Sequence, residues 1–469
     1  MQRLSGMDAA FVHMETPDMH LHVVGTIVID PSTMPGGYSF DTIKNTIAER
    51  IHLIPPFRRK LVTVPFNLGN PLWVEDADFD LDAHIHRIGV PAPYTMRELA
   101  EIVNDVASRP LDRARPPWEM WVVEGLEDGH VALVSKIHHS AIDGVTGADM
   151  MVHLFDLSPE GAVIEPPGEW KPEPAPSDLR LVRDALAANL TQPVRLARML
   201  VKTGQGLLNA VQIQRNREEG QPGMTLPFTA PQTPFNGAIT GHRAVAFGRV
   251  SLEDMKLVKN TFGTTVNDVV LAACTTSLRR WLTEHGGLPD RDLVGSVPVS
   301  VHGETGDDAG TNQMSAMMVS LPILLEDPVE QLLAIHEDTK NAKEVHKALG
   351  ADTIMGLTEF APPRLLNQAS RLYSRLNLAD RHRPVHNLVI SNVPGPPIPL
   401  YCAGGRVLAT YPMGPILEGS GLNLTVLSNM GNVDFGAIAC REMVPDLWDI
   451  ATGFENGVDM LRKAAEQKS

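Results

Sequence analysis

Two adjacent histidines in the segment His138-His139-Ser140-Ala141-Ile142-Asp143-Gly144 stand where a predicted strand ends. Residues 118–126 and 130–137 are rich in β-branched and aromatic side chains, and Glu127-Asp128-Gly129 between them is typical of a hairpin turn. After the histidines, apolar residues at helical spacing predict a helix over residues 145–155. The sequence therefore predicts a strand, a tight polar turn and a helix, an arrangement that holds reactive groups rigidly.

The chemistry of this segment starts from imidazole, which in its neutral form can remove a proton from a hydroxyl near neutral pH. Three interpretations compete. The histidines can be a solvated pair beside an ordinary turn, or they can be metal ligands. The metal interpretation lacks further ligands, because Cys274, Cys402 and Cys440 are widely scattered. The third interpretation is transfer of an acyl group with an imidazole as general base.

Further segments decide between these interpretations, and they follow one another along nearly the whole chain. They are Leu4-Ser5-Gly6-Met7-Asp8-Ala9-Ala10-Phe11 with Glu15, Trp73-Val74-Glu75-Asp76 with Phe79-Asp80, Thr265-Val266-Asn267-Asp268-Val269-Val270-Leu271-Ala272, Asn312-Gln313-Met314-Ser315 and Ser391-Asn392-Val393-Pro394-Gly395-Pro396. Together with the HHxxxDG element, they resemble the bacterial wax ester synthase/diacylglycerol acyltransferase family of the CoA-dependent acyltransferase superfamily. Two segments depart from that pattern. This chain has Pro116-Pro117-Trp118 where the family usually has Pro-Leu-Trp, and Ser428-Asn429-Met430-Gly431 where the family often has Ser-Tyr-x-Gly.

The resemblance implies an α/β (mixed α+β) fold of two chloramphenicol-acetyltransferase-like halves, with mixed sheets flanked by helices and a channel at their interface. It also implies an O-acyltransferase that moves a long-chain acyl group from acyl-CoA to the hydroxyl of diacylglycerol, a long-chain alcohol or both. The product would be triacylglycerol or wax ester. No cofactor is expected, since acyl-CoA is a substrate. The alternatives are a non-catalytic lipid-binding homologue and acyl transfer to a sugar or polyketide hydroxyl.

The resemblance also implies roles for single residues. His139 would be the general base and His138 a supporting residue, since adjacent strand residues point to opposite faces. Asp143 would order the turn, and Gly144 would tolerate its sharp backbone.

In the second half the leading supporting residues are Asn267 and Asp268, followed by Ser391 and Asn392. The plainer interpretation makes Asn267 a polar residue of a first helical turn, and Ser391-Asn392 a turn before Pro394.

Length and proline content predict the domain organisation. A chain of 469 residues is expected to form two domains. Prolines crowd the segment after the first half, at Pro159, Pro166, Pro167, Pro172, Pro174 and Pro176. We therefore place an N-terminal acyltransferase half at 1–160, a proline-rich linker and helical crossover at 161–239, and a C-terminal half at 240–469.

Net charge of −16 argues against nucleic-acid binding. No apolar run reaches the roughly 18 to 20 residues that span a bilayer, and the amino terminus lacks the pattern of a signal peptide. We expect a cytoplasmic protein, with a peripheral position at the inner membrane or at lipid inclusions as a further expectation. The crossover helix is predicted over residues 177–214 with a kink at Pro193, and it is rich in basic residues. It could lie on an anionic lipid surface, or it could pack on the body of the protein with its basic face in solvent.

Overall fold

The computed structural model describes residues 2–142, 152–166, 168, 170–187, 228–300, 314–349 and 363–468. Their α-helices are α1 (Gly6–Met14), α2 (Phe40–Arg50), α3 (Met96–Ser108), α4 (His139–Ile142), α5 (Leu252–Phe262), α6 (Val266–Glu284), α7 (Pro328–Leu349), α8 (Pro363–Arg375) and α9 (Leu447–Lys468). Within these residues no helix has both the length and the apolar composition needed to cross a membrane.

The strands form three sheets in the described part of the chain. They are β1 (Gln2–Arg3), β2 (His22–Asp30), β3 (Arg59–Val62), β4 (Leu72–Glu75), β5 (Ile85–Gly89), β6 (Trp118–Glu124), β7 (Val131–His138), β8 (Arg243–Ser251), β9 (Leu293–Ser300), β10 (Met314–Leu321), β11 (Leu388–Val393), β12 (Tyr401–Cys402), β13 (Gly405–Met413), β14 (Leu422–Asn429) and β15 (Asn432–Cys440). The first large sheet has the order β12-β13-β2-β7-β6-β5, the second β10-β9-β11-β14-β15-β8, and a small one β1-β4-β3.

Both large sheets are mixed, as the family resemblance implies. In the first, β5 runs parallel to β6 while the other pairs are antiparallel. In the second, β11 runs parallel to both β9 and β14. The predicted hairpin is confirmed, since β6 and β7 pair across the turn at Glu127–Gly129. The sequence also predicts a helix over residues 266–282 and strands over 293–301, 314–321, 422–428 and 433–440. These are α6, β9, β10, β14 and β15, and their ends agree with the prediction within two residues.

Two strands near the C-terminus complete the N-terminal sheet. β13 pairs with β2 along its length, from Arg406 opposite Asp30 to Met413 opposite Val24. Residues 401–413 of the predicted C-terminal half therefore lie in the sheet of the other half. The boundaries at 160 and 240 stay a prediction.

One apolar core joins the two halves. Val103 and Val106 of α3 belong to the same buried cluster as Val245 and Phe247 of β8, so that the N-terminal helix packs against the edge strand of the C-terminal sheet. A polar contact strengthens this junction. The buried guanidinium of Arg243 donates to the carbonyl oxygen of Asp18 at 2.5 Å.

The carboxylate of Asp434 forms a second junction between the sheets. Asp434 lies on β15 and is completely buried, and its Oδ1 contacts the Nε of Arg249 on β8 at 2.8 Å. Its Oδ2 accepts a hydrogen bond of 2.8 Å from the backbone N–H of Thr410 on β13, which belongs to the other sheet. Burial raises the pKa of Asp434. The contacts nevertheless show a structural role, since this side chain links β8, β13 and β15.

The predicted crossover helix is described only in its first part. Residues 178–187 are helical, and Leu181 and Ala185 are buried against Val64. This part therefore packs on the body of the protein. Pro193 and the basic residues that follow it lie outside the described residues, and so does most of the helix predicted over 145–155.

A buried lysine fixes the end of α3. Lys136 of β7 is fully buried, and its Nζ donates to the carbonyl oxygens of Val106 at 2.8 Å and Arg109 at 2.9 Å. The same ammonium contacts the carboxylate of Glu119 on β6 at 2.6 Å. Burial lowers the pKa of Lys136. A positive charge at a helix C-terminus is favourable, and here it also binds backbone carbonyls that the helix leaves without partners.

Replacing this lysine tests its structural role. We expect Lys136→Met to lower the free energy of unfolding by about 3 kcal/mol, because the Glu119 carboxylate and two buried carbonyls lose their partner. The matched control is Lys463→Met, which breaks a surface pair with Asp459 and should cost less than about 1 kcal/mol. Thermal unfolding of both variants checks this. Equal midpoints for the two variants would contradict the capping role.

Candidate active site

The two histidines of the HHxxxDG element occupy different environments. His138 is the last residue of β7 and is 3% exposed, whereas His139 is the first residue of α4 and is partly exposed. We expected the two histidines to differ because adjacent strand residues point to opposite faces, but this is not the cause. Instead, β7 ends at His138 and α4 begins at His139. The backbone N–H of His139 donates to the carbonyl of Leu21 at 2.8 Å and so forms the last bond beyond the β2–β7 ladder.

The ring of His139 is held by an aromatic neighbour. Phe11 of α1 stacks against it with ring centroids 4.2 Å apart and an interplanar angle of 28°. α1 begins at Gly6, and the hydroxyl of the preceding Ser5 caps the helix by accepting from the N–H of Asp8 at 3.2 Å. The N-terminal motif that the sequence singles out is thereby placed directly beside the candidate base.

His138 is fixed by polar contacts on both sides of its ring. Its Nδ1 lies 2.7 Å from the Oγ of Ser140 and accepts from the Ser140 backbone N–H at 3.2 Å. An Nδ1 that accepts from a backbone N–H leaves the proton of the neutral ring on Nε2. That Nε2 is 3.7 Å from a carboxylate oxygen of Glu15, too far for a hydrogen bond but close enough for an electrostatic contact.

Glu15 follows α1 and places a carboxylate beside His138 and Arg113. Its carboxylate contacts the guanidinium of Arg113, which also donates to the carbonyl of Val12 at 3.1 Å. Burial alone would raise the pKa of Glu15, but the contacts with His138 and Arg113 outweigh it and lower this pKa to about 2. Glu15 is therefore ionised at neutral pH, and it orients both neighbours.

Two further histidines near the site were missed by the sequence reasoning. His22 lies opposite His138 in the β2–β7 register, and its Nε2 donates to the carbonyl of Ala107 at 3.0 Å. His20 donates through Nε2 to the carbonyl of Pro17 at 2.7 Å. Burial lowers the pKa of His20, and that of His22 lies well below its ordinary value for the same reason. Both are neutral structural groups. The alternation His20-Leu21-His22 before a strand is the signal that could have revealed them.

The predicted site residues of the second half form a separate group. Asn267 and Asp268 lie in the first turn of α6, and Ser391 and Asn392 lie within strand β11 rather than in a turn before Pro394. The Nδ2 of Asn392 donates to the Oδ1 of Asn267 at 3.5 Å. The structure thus joins two segments that are 125 residues apart in sequence.

Asp268 is an anchor for this group. It is 1% exposed, and its Oδ2 accepts from the N–H of Thr265 at 2.9 Å and from the Nδ1 of His336 at 2.8 Å. Its Oδ1 accepts from the hydroxyl of Thr339 at 2.9 Å. This carboxylate closes the capping box of α6 and ties that helix to α7. It therefore sets the position of the neighbouring Asn267.

Asp143 and Gly144, the last two predicted residues of the HHxxxDG element, lie outside the described residues. Within the described part of the chain, no three His, Cys, Asp or Glu side chains converge in a way that could hold a metal ion.

Comparison with known proteins adds to this geometry. Residues 4–270 match the catalytic domain of wax ester synthase/diacylglycerol acyltransferase, and residues 310–462 match the C-terminal domain of the same enzymes. The chain belongs to the wax ester synthase/diacylglycerol acyltransferase family. It is accordingly an acyltransferase, as the HHxxxDG element and the other segments predict.

Relatives of this family member cover its whole length. A putative diacylglycerol O-acyltransferase of Mycobacterium tuberculosis is 38% identical over 469 residues, which are 100% of this chain and 91% of the relative. A second one from the same species is 35% identical over 465 residues, 99% of this chain and 97% of the relative.

Solved structures confirm the two-domain fold. The wax ester synthase/diacylglycerol acyltransferase from Marinobacter aquaeolei VT8 is similar with a TM-score of 0.69 and 28% identity, over 99% of this chain and 100% of that one. The starter condensation domain of rhizomide synthetase has a TM-score of 0.54 and 12% identity, over 99% and 94% of the two chains, and shares the fold alone.

The departure at Pro116-Pro117-Trp118 leaves the site of this acyltransferase intact. The carbonyl of Pro117 accepts from the backbone N–H of His138 at 2.9 Å, and any residue at position 117 can supply that carbonyl. Trp118 keeps its own contacts, since it stacks on Phe57 and donates through Nε1 to the Phe57 carbonyl at 2.9 Å. The backbone that positions His138 is therefore preserved.

The lowered pKa of Glu15 predicts how stability depends on pH. The ionised carboxylate stabilises the fold at pH values above its ordinary pKa of 4.5, and this contribution is lost as the pH falls towards about 2. We expect Glu15→Gln to lower stability by about 3 kcal/mol at pH 7 and by progressively less below pH 4.5. Thermal unfolding between pH 7 and pH 3 measures this. Glu127→Gln at an exposed turn is the control and should unfold with the wild type at pH 7. A constant deficit for Glu15→Gln would contradict the linkage.

Proposed function

We propose that this acyltransferase moves a long-chain fatty acyl group from acyl-CoA to the hydroxyl of diacylglycerol, a long-chain alcohol or both. The product is triacylglycerol or wax ester. The names of the Mycobacterium and Marinobacter relatives support this acceptor class, and the related condensation domain was solved in complex with C8-CoA. The observation that carries the proposal is that His139, directly after the end of β7, is partly exposed, whereas the adjacent His138 is buried.

His139 acts as the general base in the proposed reaction. A ring nitrogen takes the proton from the acceptor hydroxyl while the oxygen attacks the thioester carbonyl carbon. The tetrahedral intermediate then collapses with cleavage of the C–S bond, and the imidazolium returns the proton to the departing CoA thiolate. No covalent enzyme intermediate and no cofactor are required, because the thioester is already activated. General acid–base catalysis by a positioned side chain typically raises the reaction rate about 10²–10⁴-fold.

The surroundings of His139 favour this role because they fix the ring before substrate binds. The stacked Phe11 restricts the ring plane, and the bond from the His139 N–H to the Leu21 carbonyl fixes the backbone. A base held in one orientation loses little entropy when the acceptor arrives. We assign His138 a positioning role, since its contacts with Ser140 and Glu15 order the turn from which His139 projects. The assigned roles of Asp143 and Gly144, ordering and permitting the following turn, stay predictions.

The polar group of the second half is proposed to stabilise the tetrahedral oxygen. Charge that develops on this oxygen needs a fixed hydrogen-bond donor. Asn267 accepts through Oδ1 from Asn392, an arrangement that orients the amide and keeps its Nδ2 hydrogens for donation. Asp268 holds the helix turn that carries Asn267, and Ser391 belongs to the same strand as Asn392. We therefore propose Asn267 as the donor and the other three as supporting residues.

The central test is removal of the proposed base. We expect His139→Ala to lower the rate of ester formation by at least about 10²-fold while the protein stays folded. The assay combines palmitoyl-CoA with hexadecanol, with a diacylglycerol, or with water-soluble sugar acceptors, and separates the products. His130→Ala, at the opposite end of β7, is the matched control and should keep wild-type turnover. Full turnover in folded His139→Ala would overturn the assignment. Absence of transfer by the wild-type protein to any acceptor would instead favour a lipid-binding homologue.

The proposed donor predicts a specific kinetic defect. Asn267→Ala should lower kcat by about 10²-fold and should raise the apparent KM for acyl-CoA much less. The reason is that the contact forms with the transition state and not with the ground state. Asn267→Asp keeps the size of the side chain but removes the amide donor, and it should show a similar loss. A change confined to KM would contradict a role on the oxyanion.

A further inference from the structure

The helix α8 presents an apolar stripe to the solvent. Leu365, Leu372 and Leu376 are 60%, 54% and 44% exposed, which is unusual for leucines of a helix in a folded domain. Leu376 follows the last helical residue and continues the turn, since its N–H donates to the carbonyl of Leu372 at 3.0 Å. Intervals of seven and four residues bring the three side chains onto one side of the helix.

A basic stripe runs beside the leucines. Arg364, Arg371 and Arg375 are all exposed, and each directly precedes one of the three leucines. Their intervals are therefore identical, and the arginines lie on a neighbouring side of the same helix. The sequence of α8 contains no acidic residue, so that this helix carries a local charge of about +3 on a chain whose net charge is −16.

Polar and small residues face the protein instead. Asn367 donates through Nδ2 to the carbonyl of His13 at 3.1 Å and so fixes α8 against α1. Ser374, also on the inner side, is only 9% exposed. The helix is thus held with Asn367 and Ser374 inward and with Leu365, Leu372 and Leu376 outward. This is the reverse of a helix that packs on a core, and it matches a helix that lies in the plane of a lipid interface.

The charge identifies the occupant of this surface. Arginines beside exposed leucines suit an anionic lipid surface, where the leucines enter the acyl region and the guanidinium groups meet lipid phosphates. A second copy of the chain fits less well, because a symmetric contact would bring the two arginine stripes towards each other. We propose that α8 docks the protein on the surface of an anionic phospholipid membrane.

The position of α8 connects this surface with the proposed reaction, and the connection rests on the function proposed above. α8 packs on α1, and Phe11 of α1 stacks against His139. Phe66, which is 78% exposed, lies on the turn Pro65–Asn67 that contacts α8 and extends the apolar area. A diacylglycerol or long-chain alcohol is concentrated in the membrane. Docking through α8 would therefore hold the acceptor close to α1, the helix whose Phe11 stacks against His139.

Vesicle flotation of the full-length protein tests the proposal. The probes are vesicles of phosphatidylglycerol with phosphatidylcholine and vesicles of phosphatidylcholine alone. The first variant is Arg364→Glu/Arg371→Glu/Arg375→Glu, and the second is Leu365→Ser/Leu372→Ser/Leu376→Ser. The matched control, Lys256→Glu/Arg280→Glu/Arg406→Glu, makes the same change in net charge at exposed basic residues scattered over other elements.

We expect the wild type and the control to float with the anionic vesicles, and both α8 variants to bind them at least roughly a hundredfold more weakly. Binding should fall with added salt. All three variants should keep transfer of acyl groups to a short, water-soluble alcohol. Only the two α8 variants should lose transfer to diacylglycerol in vesicles, and the control should keep it. Failure of the wild type to bind, or equal loss in the control, would overturn the docking surface. A wild type that dimerises through these leucines without binding vesicles would also overturn it. Flotation without any acyl transfer would instead overturn the proposed function and leave the surface in place.

Discussion

The pairing of β2 with β7 is the constraint on which the candidate site depends. The register sets His22 opposite His138, and one residue further on the N–H of His139 bonds to the carbonyl of Leu21. Because successive side chains of a strand point to opposite faces, a slip of one residue would move His138 and Lys136 out of the interior. The same ladder thus buries one histidine, ends the strand and starts the short helix that carries the other.

Buried polar contacts then secure the ends of the elements around that ladder. Lys136 and His22 bind three carbonyls at the end of α3, those of Val106, Ala107 and Arg109. α3 also packs on β8 of the other half. The contact between Asp434 and Thr410 ties β15 to β13 in the same way. Each of these groups would be costly to bury alone, and each is stabilised by the contacts named here. The relative position of the two halves follows from these bonds together with the shared apolar core.

Much of this architecture is readable from local sequence. The hairpin around Asp128, the helix that begins after Thr265 and the antiparallel pair β14–β15 all follow from turn residues, a capping residue and apolar periodicity. The joining of β13 to β2 is not readable in this way, because it depends on a pairing between segments hundreds of residues apart, and no local pattern specifies the partner of an edge.

The site was predictable in its residue types but not in its arrangement. The HHxxxDG element identified His138 and His139, and the structure places them as predicted at the end of a strand. Their difference in burial arises because β7 ends at His138 and a helix begins at His139. The alternation of side chains along a strand does not predict such a change. Glu15 appeared only as part of a motif, and its contacts with His138 and Arg113 needed the fold. His336, the partner of Asp268, has no sequence signal at all, since it comes from a helix 68 residues further along.

The insertion of β13 beside β2 has a consequence for how the chain is made. β2 emerges from the ribosome long before β13, the strand that pairs with its outer edge, because several hundred residues separate the two in sequence. Until then the nascent N-terminal sheet has an open edge with unsatisfied N–H and C=O groups, which is a template for pairing with other chains. Completion of the first sheet therefore waits until residues 405–413 have been translated, and an expression product truncated before residue 405 would keep the edge of β2 unpaired permanently.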